Sequence, residues 1–380
     1  MNWGKVSAIS EEPLSGKLKE AYPSVFNGKG VIKTFKADVK VQPNVNPRFC
    51  RARPVPYALR EAVEKEIDRL EKEWIIRKVE KSDLATPIVV VPKANKSVRL
   101  CGDFKVTVNP VLEENIYPLP TDEDLFAKMG GATLFSKLDL SSAYLQLELT
   151  EKSRPLLVIN THKGLYEFQR LCFGISTAPS IFQSVMDQVL QGIPHVEYLL
   201  DDIPIGTVTE KQHDVILHQV LKHLDTYGIK VNMDKCKFKV RSVDYLGHHI
   251  DGNGFHPMKE KIQAITEAPH PKNITELRAF LGMINFYSRV LREYVYPAVT
   301  TVSSALSRHG LEVDDQARDV FQKCKTMLSS ESVLVHYDMN KSLTLACDAS
   351  AYGVGCYLSH LMDDGSERPI SYASRTLSSS

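Results

Sequence analysis

The chain has 380 residues, 43% of them apolar and 24% charged, with a formal net charge of only +1. That length allows two or three domains, and that balance excludes a uniformly basic surface, so a polyanion would have to be held by a local stripe of Lys and Arg. The longest apolar runs, such as "PIVVVP", are far too short to cross a bilayer, and the start "MNWGKVSAIS" has no signal-peptide pattern. Seven irregularly spaced cysteines form no CxxC or Cys/His ligand set, which favours reduced thiols in an intracellular protein.

In chain order, residues 1–50 mix Gly, Pro, Lys and Asn and predict an arm or an edge strand. Leu59, Val63, Ile67, Leu70 and Trp74 then recur at helical spacing, with charges on the other face. "TPIVVVPK" and "SVRLCGDF" predict strands. After the Gly130-Gly131 turn signal, Leu134, Ser136 and Leu138 alternate with Phe135, Lys137 and Asp139, which places Asp139 near the end of a strand. "TAPSIFQSVMDQVLQG" predicts a helix with Thr177 as N-cap, Pro179 in its first turn and Gly192 past its end. Leu217, Val220, Leu221 and Leu224 mark another helix, closed by Gly228, and Asn273 and Glu276 have capping-box spacing. From about residue 341, "KSLTLACDAS", "YGVGCYLSHL" and "RPISYASR" predict three strands, with "DDG" as one turn. The alternation of strands and helices argues for the α+β class.

The stretch "HVEYLLDDIPIG" sets two acids, Asp201 and Asp202, between apolar runs. Asp tolerates the left-handed backbone of a tight turn, so a hairpin tip is expected there. Two carboxylates ~4 Å apart still repel by roughly 4 kcal/mol at an effective dielectric near 20. A solvated turn is one way to hold them; a divalent cation between them is another. Mg²⁺ takes carboxylate oxygens, substrate phosphates and water, and two such ions can clamp an in-line phosphoryl displacement. Asp139, ending its own strand, is the best third ligand.

"FSKLDLSSAYLQLEL", "NTHKGLYEFQRLCFGISTAPSIFQSVMD", "GIPHVEYLLDDI" and "GIKVNMDKCKFKVRSVDYLGH" follow in that order. They resemble the palm and thumb of a reverse transcriptase of the gypsy-type LTR retrotransposons. "RPVPYALREAVEKEIDRLEKE" and "VRLCGDFKVTVNP" resemble its fingers, "ITELRAFLGMINFYSRV" its connecting segment, and "LTLACDASAYGVGCYLSHLMDDGSERPISYASRTLS" the start of its ribonuclease H-like domain. The resemblance implies an arm over 1–50, fingers and palm over 51–251, thumb and connection over 252–312, and a truncated ribonuclease H-like domain over 313–380. It implies an RNA-directed DNA polymerase working with two Mg²⁺ ions, Mn²⁺ being a substitute, on deoxynucleoside triphosphates, an RNA template and a DNA primer. The expected location is cytoplasmic or in a retrotransposon particle, with no membrane partner and the oligomeric state left open.

Roles carry over one residue at a time. Asp139, Asp201 and Asp202 match the metal ligands. Tyr144 matches the steric gate against a ribose 2′-hydroxyl. Lys93 and Arg99 match the finger residues that hold the triphosphate. Phe173 and Gly174 fall in the loop lining the nucleotide site. Lys235 matches a lysine that protonates the departing pyrophosphate. His248-His249 falls in the primer-grip region, whereas His213, His218 and His223 share no metal-binding face.

Departures from the family pattern favour a second reading, an inactive relic that binds primer–template without copying it. Leu199 stands where Tyr is usual, with Tyr198 one residue early and so on the opposite face. Pro204 removes a backbone donor from the return strand. Cys172 replaces a Pro, and Trp74 stands where Gly is common. No Asp-Ser/Thr-Gly protease motif precedes the fingers and no His/Cys integrase pattern follows. Of the ribonuclease H acids only Asp348 is recognisable, so no cleavage of hybrid RNA is expected, and the three-strand remnant would leave an open edge.

Overall fold

The computed structural model describes residues 14–93, 97–113, 117–269, 276, 280, 334–338, 340–349, 353–362 and 365–376. The capping box expected at Asn273 and most of the connecting segment lie outside the described residues. The elements are α1 (Leu14–Ala21), α2 (Pro23–Phe26), β1 (Lys36–Ala37), α3 (Tyr57–Lys72), β2 (Ile76–Val79), β3 (Thr86–Pro92), β4 (Val98–Gly102), α4 (Asp122–Lys128), β5 (Leu134–Asp139), β6 (Glu148–Leu149), β7 (Val158–Thr161), β8 (Gly164–Phe168), α5 (Ala178–Val189) and β9 (Asp202–Thr207). They continue with α6 (Glu210–Tyr227), β10 (Lys237–Val240), β11 (Ser242–Tyr245), β12 (His248–Asp251), β13 (Gly254–Pro257), α7 (Lys259–Thr266), β14 (Leu343–Ala349), β15 (Gly353–Leu361) and β16 (Glu367–Thr376). The class is α+β, as the alternation predicts.

Two compact units result. The first is Met1–Pro120, Lys137–Ile205 and Asp214–Phe238; the second is Thr121–Ser136, Gly206–His213 and Lys239–Ser380.

In the first unit, five strands form a sheet in the order β2-β8-β7-β3-β4, antiparallel except for β3 beside β7. The helix α3 buries Val63, Ile67 and Leu70, one apolar stripe, and leaves its charges outside. The predicted stripe runs one turn too far. Trp74 lies beyond the helix, is 56% exposed, and has φ +57°. There it is the left-handed residue of a Schellman ending: Ile75 N–H donates to the Leu70 carbonyl and Trp74 N–H to that of Glu71. This explains why Gly suits the position.

The helix α5 begins as expected, with Pro179 in the first turn and Gly192 (φ +82°) beyond the end. Thr177 occupies the N-cap position, but its side chain makes no capping bond and its buried Oγ1 has no hydrogen-bond partner. Leu217, Val220, Leu221 and Leu224 of α6 are fully buried, and Gly228 (φ +74°) ends the helix where a Cβ would meet the Val31 carbonyl at 2.6 Å. The N-terminal segment supplies a short edge strand, with Lys36 and Ala37 pairing in parallel with Glu148 and Leu149.

In the second unit, β11, β12 and β13 form an antiparallel meander whose first turn has Leu246 (φ +48°) and Gly247 (φ +77°), the type I′ pattern. Phe126 of α4 stacks on Phe255 at 5.0 Å and meets the buried His248 edge-on at 5.1 Å. The expected three terminal strands are β14, β15 and β16, antiparallel in that order. Asp348 lies on β14 opposite Gly355. His213 is buried between two hydroxyls, its Nε2 2.7 Å from Ser136 Oγ and its Nδ1 2.8 Å from Thr207 Oγ1. Among the described residues all six cysteines are free, and no helix is long and apolar enough to cross a membrane.

Candidate active site

The acid pair sits on a two-residue hairpin in the first unit. Leu199 and Asp202 exchange backbone bonds (3.2 and 3.3 Å), and Val196 bridges Ile205. The left-handed residue of the turn is Leu200 (φ +59°), not either aspartate. The expectation that Asp supplies that conformation is therefore corrected: a half-buried leucine carries it, and Asp201 takes the second turn position. Pro204 has the predicted effect on the ladder. Glu197 N–H reaches the Pro204 carbonyl at 3.1 Å, but Pro204 has no N–H to return. Tyr198 packs against the hydrophobic core, and its carbonyl accepts from Gln183 of α5 at 3.3 Å.

The end of β5 meets this tip. Leu140 N–H donates to the Asp201 carbonyl at 2.7 Å, and Asn232 N–H to the Asp139 carbonyl at 2.8 Å. Asp139 therefore lies between the hairpin and the segment that carries Lys235. Gln146 fixes that alignment, its Nε2 donating to the carbonyls of Ser141 and Lys230 and its Oε1 accepting from Lys230 N–H.

The electrostatics follow from this crowding. Burial, then the charges of Asp202 and Asp139, push the Asp201 carboxyl above its ordinary value, while Lys235 and Arg99 pull it back. Asp139 Oδ2 is 3.3 Å from Lys235 Nζ, and Asp202 Oδ2 is 3.0 Å from Lys137 Nζ. Among the described residues no three His, Cys, Asp or Glu side chains form a ready-made cation cage. Two of the three acids here are turned onto lysines.

A cleft of about 220 Å³ is lined by Asp139, Asp201, Lys235, Lys93, Arg99 and Phe173, with Glu66 and Arg69 of α3 also in its lining. Asp202 does not line it. The Arg99 guanidinium lies 5.3 Å from the centre of the Phe173 ring, a cation–π contact that orients the fork. Tyr144 does not line the cleft either. It is 6% exposed, packed between Phe173 (5.0 Å) and Phe182 (5.4 Å), and burial plus the nearby Asp201 charge push its hydroxyl up to about 12. Gly174 (φ +98°) contributes backbone: a Cβ there would come within 2.9 Å of the Gly102 carbonyl. Asn109 clamps this loop, donating to the Gly174 carbonyl (2.9 Å) and accepting from Ser176 N–H (3.1 Å).

Asn109, Gln146, Lys137, Glu66 and Arg69 were not singled out from the sequence. Lys137 had a signal, since on a strand it shares the face of Asp139. The others show no local pattern that separates them from ordinary polar residues.

Residues 91–250 match the family described as reverse transcriptase (RNA-dependent DNA polymerase), and residues 313–380 match the RNase H-like domain found in reverse transcriptase. The chain thus has one region similar to a reverse transcriptase and a second similar to the RNase H-like domain found beside it. Its particular likenesses include an uncharacterised protein, a transposon polyprotein and viral structures. It is 37% identical over 297 residues to "Uncharacterized protein K02A2.6" of Caenorhabditis elegans, covering 77% of this chain and 23% of that protein. It is 32% identical over 390 residues to "Retrovirus-related Pol polyprotein from transposon opus" of Drosophila melanogaster, covering 97% of this chain and 38% of that one. The chain therefore spans well under half the length of these relatives. The foamy viral protease-reverse transcriptase dRH, solved in complex with ds DNA, has the same fold, with a TM-score of 0.85 at 22% identity over 95% of this chain and 64% of the other. The foamy viral protease-reverse transcriptase in complex with RNA/DNA hybrid gives 0.83 at the same identity, over 95% of this chain and 49% of the other.

Proposed function

We propose that the chain is the reverse transcriptase part of a gypsy-type retrotransposon polyprotein, working inside the cell and extending a DNA primer on an RNA template. Its fingers and palm are read as 51–251, its thumb and connection as 252–312, and its ribonuclease H-like part as 313–380. The observation that carries this reading is the convergence of Asp139 and Asp201 on one cleft with Lys93, Arg99 and Lys235. The foamy viral relative, solved on duplex DNA and on hybrid, supports a nucleic-acid partner.

The donor set suits Mg²⁺ or Mn²⁺. It consists of hard carboxylate oxygens; burial and then repulsion from Asp202 and Asp139 raise Asp201, and the repulsion is what a divalent cation relieves. Asp139, Asp201 and Asp202 would hold the two ions, which when bound activate the primer 3′-oxygen and steady the leaving group. The remaining work belongs to side chains. Arg99, oriented by Phe173, offers its fork to phosphate oxygens, and Lys93 adds a point charge. Tyr144 packs on Phe173, which lines the cleft, so the gate against a 2′-hydroxyl is the pair of rings and not the tyrosine alone. Lys235, whose side chain is 65% exposed, is free to turn from Asp139 and give its proton to the departing pyrophosphate.

The test is extension of a DNA primer on an RNA template. Extension with either metal, lost in Asp201→Asn, is expected; none under any condition would overturn the reading. The missing return bond at Pro204 favours a second reading, a chain that binds primer–template without copying it. Salt-dependent binding with no extension would establish that one.

A further inference from the structure

The three aspartates are not equivalent. Asp139 and Asp201 line the cleft and Asp202 does not. Asp202 is held by Lys137, 3.0 Å away, and the two side chains are only 27% and 20% exposed. The other lysine pair is looser: Lys235 stands 3.3 Å from Asp139 and is 65% exposed. Lys137 and Asp139 are two apart on β5 and so project from one face of the strand. The half-buried thiol of Cys236 lies in the same neighbourhood: burial raises it most, and the charges of Asp139, Asp202 and Lys137 act on it as well.

We propose that Lys137 is a built-in counter-cation that positions Asp202 and sets how tightly the site takes a divalent ion. The inference rests on reading the three aspartates as ligands. The ammonium already supplies one of the positive charges that three close carboxylates need. An incoming ion must share Asp202 with it and is repelled by it. Lys137 thus stabilises the metal-free fold and weakens metal binding. A lysine that merely supported the fold would, when removed, loosen both.

The experiment uses the full chain, stripped of metal. Mn²⁺ binding is followed by the loss of the free-ion EPR signal, and thermal melting is recorded with and without Mn²⁺. Wild-type binding that Asp201→Asn removes is expected. Lys137→Met, which keeps the stem and drops the charge, is expected to bind Mn²⁺ about tenfold tighter. It should melt lower without metal and regain its midpoint with metal. Lys137→Arg should stay close to wild type. If wild type binds and Lys137→Met binds equally or more weakly, the role of Lys137 is overturned while the site reading stands. If wild type shows no binding that Asp201→Asn removes, the site reading falls and this inference with it.

Should Lys137→Met fail to fold, two further variants decide. Asp202→Asn alone strands the ammonium in the site and is expected to bind about tenfold more weakly than wild type. The double variant Lys137→Met/Asp202→Asn removes both charges and is expected to recover most of that loss. Equal affinity in the single and double variants would overturn the proposal.

Discussion

Among the non-glycine residues that take left-handed backbone in the first unit, Trp74 and Leu200 differ in what they gain. At the end of α3, Trp74 (φ +57°) is 56% exposed and closes a helix that glycine would close with less strain. At the hairpin tip, Leu200 (φ +59°) packs against the core and turns the chain so that Asp201 enters the cleft. A left-handed residue without Cβ relief costs roughly 1–2 kcal/mol. At Trp74 the mostly exposed side chain offers little burial against that cost. At Leu200 burial offsets it, and the carboxylate gains its position.

The largest expected effect separates the tip from the helix end by function. Asp201→Asn should lower primer extension by at least ~10²-fold, while Trp74→Gly should leave it unchanged. The same aspartate gives a pH signature. Its folded-state value is raised, so the native chain keeps a proton that the unfolded chain has already lost. Stability therefore falls as pH rises from the ordinary carboxylate value through the raised one. Melting midpoints measured across that acidic window should slope downward less steeply in Asp201→Asn. A slope unchanged by the substitution would remove the crowding argument.

Next in size, Trp74→Gly should stabilise the chain by about 1 kcal/mol in denaturant titration, since the Schellman bonds stay and the strain goes. Pro204→Val returns an N–H opposite Glu197 and should add about 0.5–1 kcal/mol. Faster hydrogen exchange at the hairpin in the variant than in the parent would contradict it. The smallest effect is Leu200→Gly. Relief of strain is offset by about 1–1.5 kcal/mol of lost apolar burial, so a net change near zero is expected. A gain there equal to that at Trp74 would erase the contrast between the two sites.

Much of this was legible in the residues. The strand ending at Asp139, the hairpin around the acid pair, and the helices closed by Gly192 and Gly228 all follow from period and punctuation. Trp74 was misread because it continues the i, i+4 spacing from Leu70, and only the chain's turn toward β2 ends the helix. Leu200 was missed because local preference assigns left-handed backbone to Asp, whereas core packing assigned it to leucine. No periodicity distinguishes the acids that line the cleft from the one held by Lys137. That division depends on where a lysine two residues upstream comes to rest in three dimensions. Asn109 is polar and ordinary in sequence, and its meaning lies in a loop 65 residues away.

The buried imidazole of His213 carries a consequence for how strands distant in sequence are tied together. Lys239 N–H donates to Ser136 Oγ at 3.0 Å, and the Thr207 hydroxyl points to the Thr209 carbonyl at 3.4 Å. One polarity consistent with these contacts has serine giving its hydrogen to Nε2 and Nδ1–H giving to threonine. The relay ties four side-chain and backbone positions, on β5, β9, α6 and β10, at the end of the strands remote from the aspartates.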